Sequence, residues 1–284
     1  IFSDSNTHYR GAENYRRSGE VDATRIPKDG LWAHQVMWNG WVDVEKPAAH
    51  ILGHWNYEPG VKKPVYVVAS ADAVELFLNG KSLGRGKQSH RFLFTFETVE
   101  WQPGLLYAVG RNATGQEVCR AEKRTVGVPA ELRLSVITGP SGLKADGADV
   151  ALIEVRVVDA NGQFCPTATN LIDFKLTGPA EWRGGIAQGP DNYILSNRLP
   201  VECGINRVII RSTTNAGAIQ LAATSPGLKP LQVGFFSRPF EIVNGLAREL
   251  PGEALASKLQ RGPTPAGDSV TPTRTTLRIR QRDG

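Results

Sequence analysis

The sequence lacks any run near the ~18 consecutive apolar residues that a membrane-crossing helix needs, so no membrane partner is expected. It also lacks a basic-then-apolar leader. The first residues, "IFSDSNTH", carry no initiator methionine and already read as a strand. A fragment or processed chain is therefore expected, and the missing leader says nothing about export. Cysteine is scarce: Cys119, Cys165 and Cys203 make an odd count with no CxxC pair, which argues against a structural zinc site. Cys165 and Cys203 fall in one predicted domain; either they pair or all three stay as buried thiols. No Gly-rich phosphate loop follows a predicted strand. His34, His50, His54 and His90 have no metal-ligand spacing on one predicted face, and Asp146, Asp149 and Asp159 do not follow EF-hand spacing. Turn chemistry explains those three carboxylates, and no cofactor or metal is expected.

Excess positive charge is modest. Lys and Arg total 33 against 28 Asp and Glu, a formal net charge of +5. The basic residues are scattered except at the end, where Arg274, Arg278, Arg280 and Arg282 gather. A nucleic-acid face concentrates cations and interleaves them with exposed aromatics, so no nucleic-acid partner is expected.

What is present is globular and rich in turns: 284 residues, 40% hydrophobic, with 30 Gly and 18 Pro. That length holds two or three domains. Residues 1–47 read as strand, long loop and helix. In "RIPKDGLWAHQVMW" Ile26, Leu31, Trp32, Val36 and Met37 recur at helical spacing, with Pro27 suited to the first turn. One βα unit cannot close a barrel, which takes roughly 250 residues. Trp32, Trp38 and Trp41 must bury against something, and packing on the domain that follows, helped by Met37 and Trp38, is expected.

From residue 48 the period becomes two. "PVYVVAS", "VELFLNG", "KSLGRG", "FLFTFETV" and "LLYAVGRN" are short, rich in Val, Leu and aromatics, and bounded by Gly, Asn or Asp. In "VELFLNGKSL" Val74, Leu76 and Leu78 point one way and Glu75, Phe77 and Asn79 the other. Asn79-Gly80 is a strong hairpin signal because both turn positions want φ > 0. After a linker at "TVGVP" comes a second set: "AELRLSVI", "VALIEVRVVDANG", "LIDFKLTGP", "INRVIIRST" and "AIQLAATS". Asp159-Ala160-Asn161-Gly162 reads as a turn in which Asp or Asn bonds its own backbone. The expected class is mainly β: two tandem antiparallel immunoglobulin-like sandwiches over 48–126 and 127–237. A short, partly helical segment, 1–47, precedes them, and a Pro/Thr-rich basic tail, 238–284, follows. In that tail "TTLRIRQ" reads as a candidate edge strand.

"HILGHWNYEPGVKKPVYVVASADAVELFLNGKSLG", containing His50, Ile51, His54, Trp55, Asn56 and Val74 through Gly84, resembles the sandwich that follows the catalytic barrel in glycoside hydrolase family 2 enzymes of the β-galactosidase type. "VDATRIPKDGLWAHQVMW" is similar to the end of that family's (β/α)8 barrel, and "GVPAELRLSVITGP" onward to its invasin-like immunoglobulin domains. The resemblance covers roughly residues 1–240. It implies retaining glycosidase chemistry, which needs an acid and a nucleophilic carboxylate about 5 Å apart. It implies glutamates on barrel strands ahead of Ile1 for both roles, and no residue here matches either. No catalytic residue is therefore assigned. The expected partners are the parent's catalytic barrel and an oligo- or polysaccharide, and the expected compartment is periplasmic or extracellular.

The candidate sugar-contacting residues are Asp4, Asn6, His8, Trp55, Tyr57, Trp182 and Arg183. The first three stand where an eighth barrel strand would reach the mouth; the alternative is loop residues that cap the next segment. Trp55 and Tyr57 either offer a stacking platform or anchor the barrel–sandwich junction as core. Trp182, read as lying in the Gly-rich loop "GPAEWRGG" with Arg183 beside it, either contacts sugar or packs beneath that loop. Three functions compete: an accessory region of a glycosidase, inactive alone; a carbohydrate-binding module; and an immunoglobulin-like spacer.

Overall fold

A computed structural model describes Ser3 and residues 19–188, 191–243 and 246–247. Asp4, Asn6, His8 and "TTLRIRQ" lie outside the described residues.

The described chain opens with helix α1, Asp29–Trp41. Its N-cap, Lys28, is extended, and Asp29 puts a negative charge in the first turn, where the helix dipole favours it. Pro27 was expected inside that turn. It lies before the cap instead, because it bridges to Val21 while Lys28 N–H donates to the Glu20 carbonyl at 2.8 Å, which keeps the backbone extended. Ala33, Val36, Met37 and Gly40 recur on one face. The first three pack with Val68, Phe92 and Leu93. Gly40 sits so close that an added Cβ would lie 2.3 Å from the Phe92 ring. The helix thus docks on the first sandwich, but the tryptophans are not buried as expected: Trp38 is 58% exposed, and Trp41, which meets the Phe92 ring edge-on, is still 59% exposed.

The first sandwich has strands β1 (Ala49–Ile51), β2 (Lys62–Ala69), β3 (Ala73–Leu78), β4 (Lys81–Arg85), β5 (Lys87–His90), β6 (Leu93–Glu100), β7 (Leu105–Arg111) and β8 (Glu117–Arg124). They form two antiparallel sheets, β1-β2-β6-β5 and β4-β3-β7-β8, around a core that includes Val67, Leu76, Phe94 and Leu106. Val74, Leu76 and Leu78 face that core, whereas Glu75 and Phe77 alternate outward. Leu78 pairs with Lys81, so Asn79-Gly80 is a two-residue turn, with φ of 52° and 83°. The Asn79 amide also accepts from Leu105 N–H and donates to the Pro103 carbonyl.

The second sandwich has β9 (Pro129–Ile137), β10 (Leu143–Ala145), β11 (Val150–Asp159), β12 (Leu171–Thr177), β13 (Ala180–Gln188), β14 (Asp191–Ile194), β15 (Arg198–Pro200), β16 (Ile205–Ser212), β17 (Gly217–Thr224) and β18 (Leu231–Pro239). Its sheets, β14-β13-β16-β11-β9 and β10-β18-β17-β12-β15, enclose a core that includes Ile153, Ile172, Ile210 and Leu221. One pair departs from the expected antiparallel pattern: β10 and β18 are parallel. β10 is a short edge strand that arrives from the other sheet and not through a hairpin, so nothing imposes an antiparallel partner. A short pair, β19 (Ile242–Val243) with β20 (Leu246–Ala247), follows.

The carboxylates named above do turn work. Asp159 Oδ1 accepts from Asn161 and Gln163 N–H at 2.9 and 2.8 Å, and Gly162 takes φ 74°. Asp146 Oδ1 accepts from Ala148 and Asp149 N–H, and Asp149 Oδ2 from Lys144 N–H. All three cysteines are free thiols: Cys165 is buried, Cys119 half-buried, and Cys203 is exposed in a turn with φ 50°. Neither the Cys165–Cys203 pair nor three buried thiols describes them.

Candidate functional site

Trp55 takes the core alternative. Only 2% exposed, it has no free face on which to stack a sugar. Its Nε1 donates to the Gln102 carbonyl at 3.1 Å, and its own carbonyl accepts from Trp101 Nε1 and Thr125 Oγ1. Tyr57 meets Trp55 edge-on and stacks on His54 with centroids 4.5 Å apart, while Lys63 donates to its hydroxyl at 2.6 Å. Asn56 bonds both backbone groups of Val126. The His-Trp-Asn segment is thus a clamp on the exit from β8.

Trp182 lies on strand β13, not in a loop. Gly184 permits this by taking φ 73° where the register shifts, and at Gly185 a Cβ would come within 2.9 Å of Leu199. The indole packs on Phe174 in the second core and donates to the Ser196 carbonyl at 2.9 Å. Arg183, its neighbour, is exposed and lines a separate shallow cleft with Ile194 and Arg211. Tyr57 and Trp182 belong to different cores, so these aromatics form no shared platform.

The structure brings together a different set. Where the start of α1, strands β1 and β8, and the β15–β16 turn converge lies a cleft of about 480 Å³, lined by Asp29, Trp32, His50, His54, Lys123 and Glu202 among others. Asp29 Oδ1 lies 2.7 Å from His50 Nε2, and Asp29 Oδ2 accepts from Gly53 N–H at 2.7 Å. The Trp32 ring lies 6.3 Å from that of His50. Burial works to raise the Asp29 carboxyl, but the hydrogen bonds from His50 and Gly53, with the charges of Lys123 and His50, outweigh it and hold the group below its ordinary value. Burial lowers His54, and the charges of Lys63 and Lys123 lower it further, which favours the neutral imidazole. Burial also lowers the Lys123 ammonium, against the attraction of Asp29. Perturbed titrating groups that cluster in a cleft are a recurring mark of function.

In the sequence His50 and His54 stood out only within the segment that carries the family resemblance, and their spacing argued against metal ligation. Among the described residues no three His, Cys, Asp or Glu side chains converge as a metal would need. Asp29 and Lys123 carried no signal: the first sits at the head of a helix, and the second is one of several charges in the polar strand "EVCRAEKR".

Comparison with known proteins agrees with this architecture. Residues 134–234 match a family model described as glycoside hydrolase family 2 C-terminal domain 5, and residues 53–119 match a domain of unknown function, DUF4982. Among curated proteins the chain is similar to a β-glucuronidase of Formosa agariphila, 41% identical over 93% of this chain and 26% of that protein. It is also similar to a β-galactosidase of Bacteroides ovatus, 34% identical over 74% of this chain and 24% of that one. The solved structure of a family 2 β-glucuronidase superposes with a TM-score of 0.82 at 42% identity, over 88% of this chain and 26% of that one. These likenesses identify the chain as C-terminal sequence of glycoside hydrolase family 2. It spans about a quarter of the length of these two curated relatives.

Proposed function

We propose that the chain is the non-catalytic C-terminal accessory region of a retaining family 2 glycosidase, of the β-galactosidase or β-glucuronidase type, and that it supports the catalytic barrel. The observation that carries this reading is how the cleft's aspartates are used. Both oxygens of Asp29 are engaged by His50 and Gly53. Asp22 spends its carboxylate on Thr24 Oγ1, at 3.0 and 2.9 Å, and on Ile26 N–H at 2.7 Å. A retaining glycosidase instead needs one carboxylate free to attack the anomeric carbon and a second to protonate the leaving oxygen. These aspartates hold backbone in place.

The barrel is the partner that best fits α1. Trp38 and Trp41, with Val42 and Val44 just beyond, leave a run of exposed apolar side chains beside the docked face. Within this reading residues 1–47 are the tail of the barrel, 48–126 and 127–237 the two sandwiches, and 238–284 an appended tail.

The test is hydrolysis of aryl β-glucuronides and aryl β-galactosides by the purified chain. The proposal expects no turnover above the uncatalysed rate. Turnover that survives repurification and is lost in an Asp29→Asn variant would overturn it.

A further inference from the structure

We propose that the cleft between α1 and the two sandwiches is a binding site for a sugar acid: Lys123 holds the carboxylate of a hexuronate residue, and its pyranose face lies on Trp32. The choice of a uronate among carboxylate ligands rests on the glycosidase reading above.

Lys123 carries the argument. A lysine normally extends its ammonium into water or pairs it. Lys123 is half-buried on β8 and lines the cleft, and its ammonium makes no hydrogen bond or ion pair among the described residues. Asp29 attracts it, but both oxygens of Asp29 are already taken. Glu202, the third carboxylate at the cleft besides Asp22 and Asp29, has a partner of its own. Lys28, the other lysine at the cleft, has a partner as well, so the Lys123 ammonium is the cleft cation left without a hydrogen bond, and an entering carboxylate would supply one.

The remaining walls select a sugar. Trp32 is 40% exposed beside His50, and an indole face suits the C–H side of a pyranose ring. His54 offers ring nitrogen to hydroxyls, and its Nδ1 accepts from Asn56 N–H at 3.1 Å. The volume of about 480 Å³ falls within the range of small-ligand sites.

The experiment titrates the purified chain with methyl β-D-glucuronide and, separately, with methyl β-D-glucoside, which differ only in carboxylate against hydroxymethyl. Tryptophan fluorescence and calorimetry report binding. A saturable signal is expected with the glucuronide, and binding about tenfold or more weaker with the glucoside. Lys123→Met should erase that preference, Lys123→Arg should keep it, and Trp32→Ala should weaken both ligands. A thermal melt of each variant establishes that it is folded. Failure of the glucuronide to saturate by roughly 10 mM, or an unchanged preference in folded Lys123→Met, would overturn the inference. The outcome is separable from that of the accessory reading: turnover of aryl glycosides would defeat that reading whatever this titration shows, and absent binding would defeat only the present one.

Discussion

Asn56 grips Val126 through both ends of its side-chain amide: Nδ2 donates to the carbonyl at 3.1 Å and Oδ1 accepts the N–H at 3.2 Å. One residue earlier Thr125 Oγ1 donates to the Trp55 carbonyl at 2.8 Å, and one residue later Gly127 N–H donates to Asp159 at 2.8 Å. Of these three consecutive residues after β8, the first two are thus tied to the first sandwich and the third to the second. A connection held this way acts as a rigid coupling, in contrast to a flexible linker.

Asn56→Leu removes both bonds and leaves a backbone donor and acceptor of Val126 unpaired, which costs about 1–3 kcal/mol for each buried group. Urea unfolding should show the loss, and limited proteolysis should cut near residue 126 sooner than in the parent chain. Equal midpoints and equal cutting would mean that the coupling is unimportant.

Trp55→Ala should cost about 3–5 kcal/mol, the usual range for deleting a buried large aromatic. Trp55→Phe should cost less, through the lost bond to Gln102 and a smaller ring. In neither case should glucuronide affinity change in protein that remains folded. A variant as stable as the parent would contradict the core role.

Part of this fold was legible in the chain and part was not. Asn79-Gly80 announced its turn because the chemistry is local: two residues that tolerate positive φ stand between alternating apolar positions. The Asp159 turn was legible for the same reason. β5 and β8 were not. "KQSH" is exposed throughout and is held by backbone pairing with β6, and "EVCRAEKR" presents mostly polar side chains. β13 was read as a loop because its paired glycines look like chain breakers, although here they make a bulge and a close contact. The junction cleft was the least legible of all. Asp29, His54 and Lys123 are far apart in the chain, and only the docking of α1 on the first sandwich brings them together.

The pH dependence follows from two cleft residues. The folded state holds His54 below its ordinary 6.5, so below that pH the unfolded chain binds the extra proton more readily. Stability should be level above about pH 6.5 with respect to this group and fall as pH drops through it. Asp29, held below 3.8, adds stability that is lost on further acidification. Denaturant midpoints between about pH 8 and 5 should decline in the parent and flatten in His54→Gln. A parent curve that rises on acidification would reverse the sign and refute the assignment.

Thiol reactivity should rank the cysteines by environment. Cys203 is exposed, whereas burial and the nearby Glu117 push Cys119 up to about 11, and Cys165 is buried and also raised. One thiol, Cys203, should react with a neutral disulfide reagent in the folded protein, and the other two only on unfolding. Fast labelling of Cys119 in folded protein would contradict this placement.

The most direct test of the account asks whether any carboxylate here acts as a glycosidase nucleophile. Retaining enzymes form a covalent glycosyl intermediate, and a 2-deoxy-2-fluoro-β-glycosyl fluoride traps it. Intact-mass spectrometry of the chain after incubation with the glucuronyl and galactosyl reagents should show an unchanged mass. A stoichiometric adduct on Asp29, Glu202 or any other acidic residue would contradict the claim that this part of the family holds structure and ligand but does not cut.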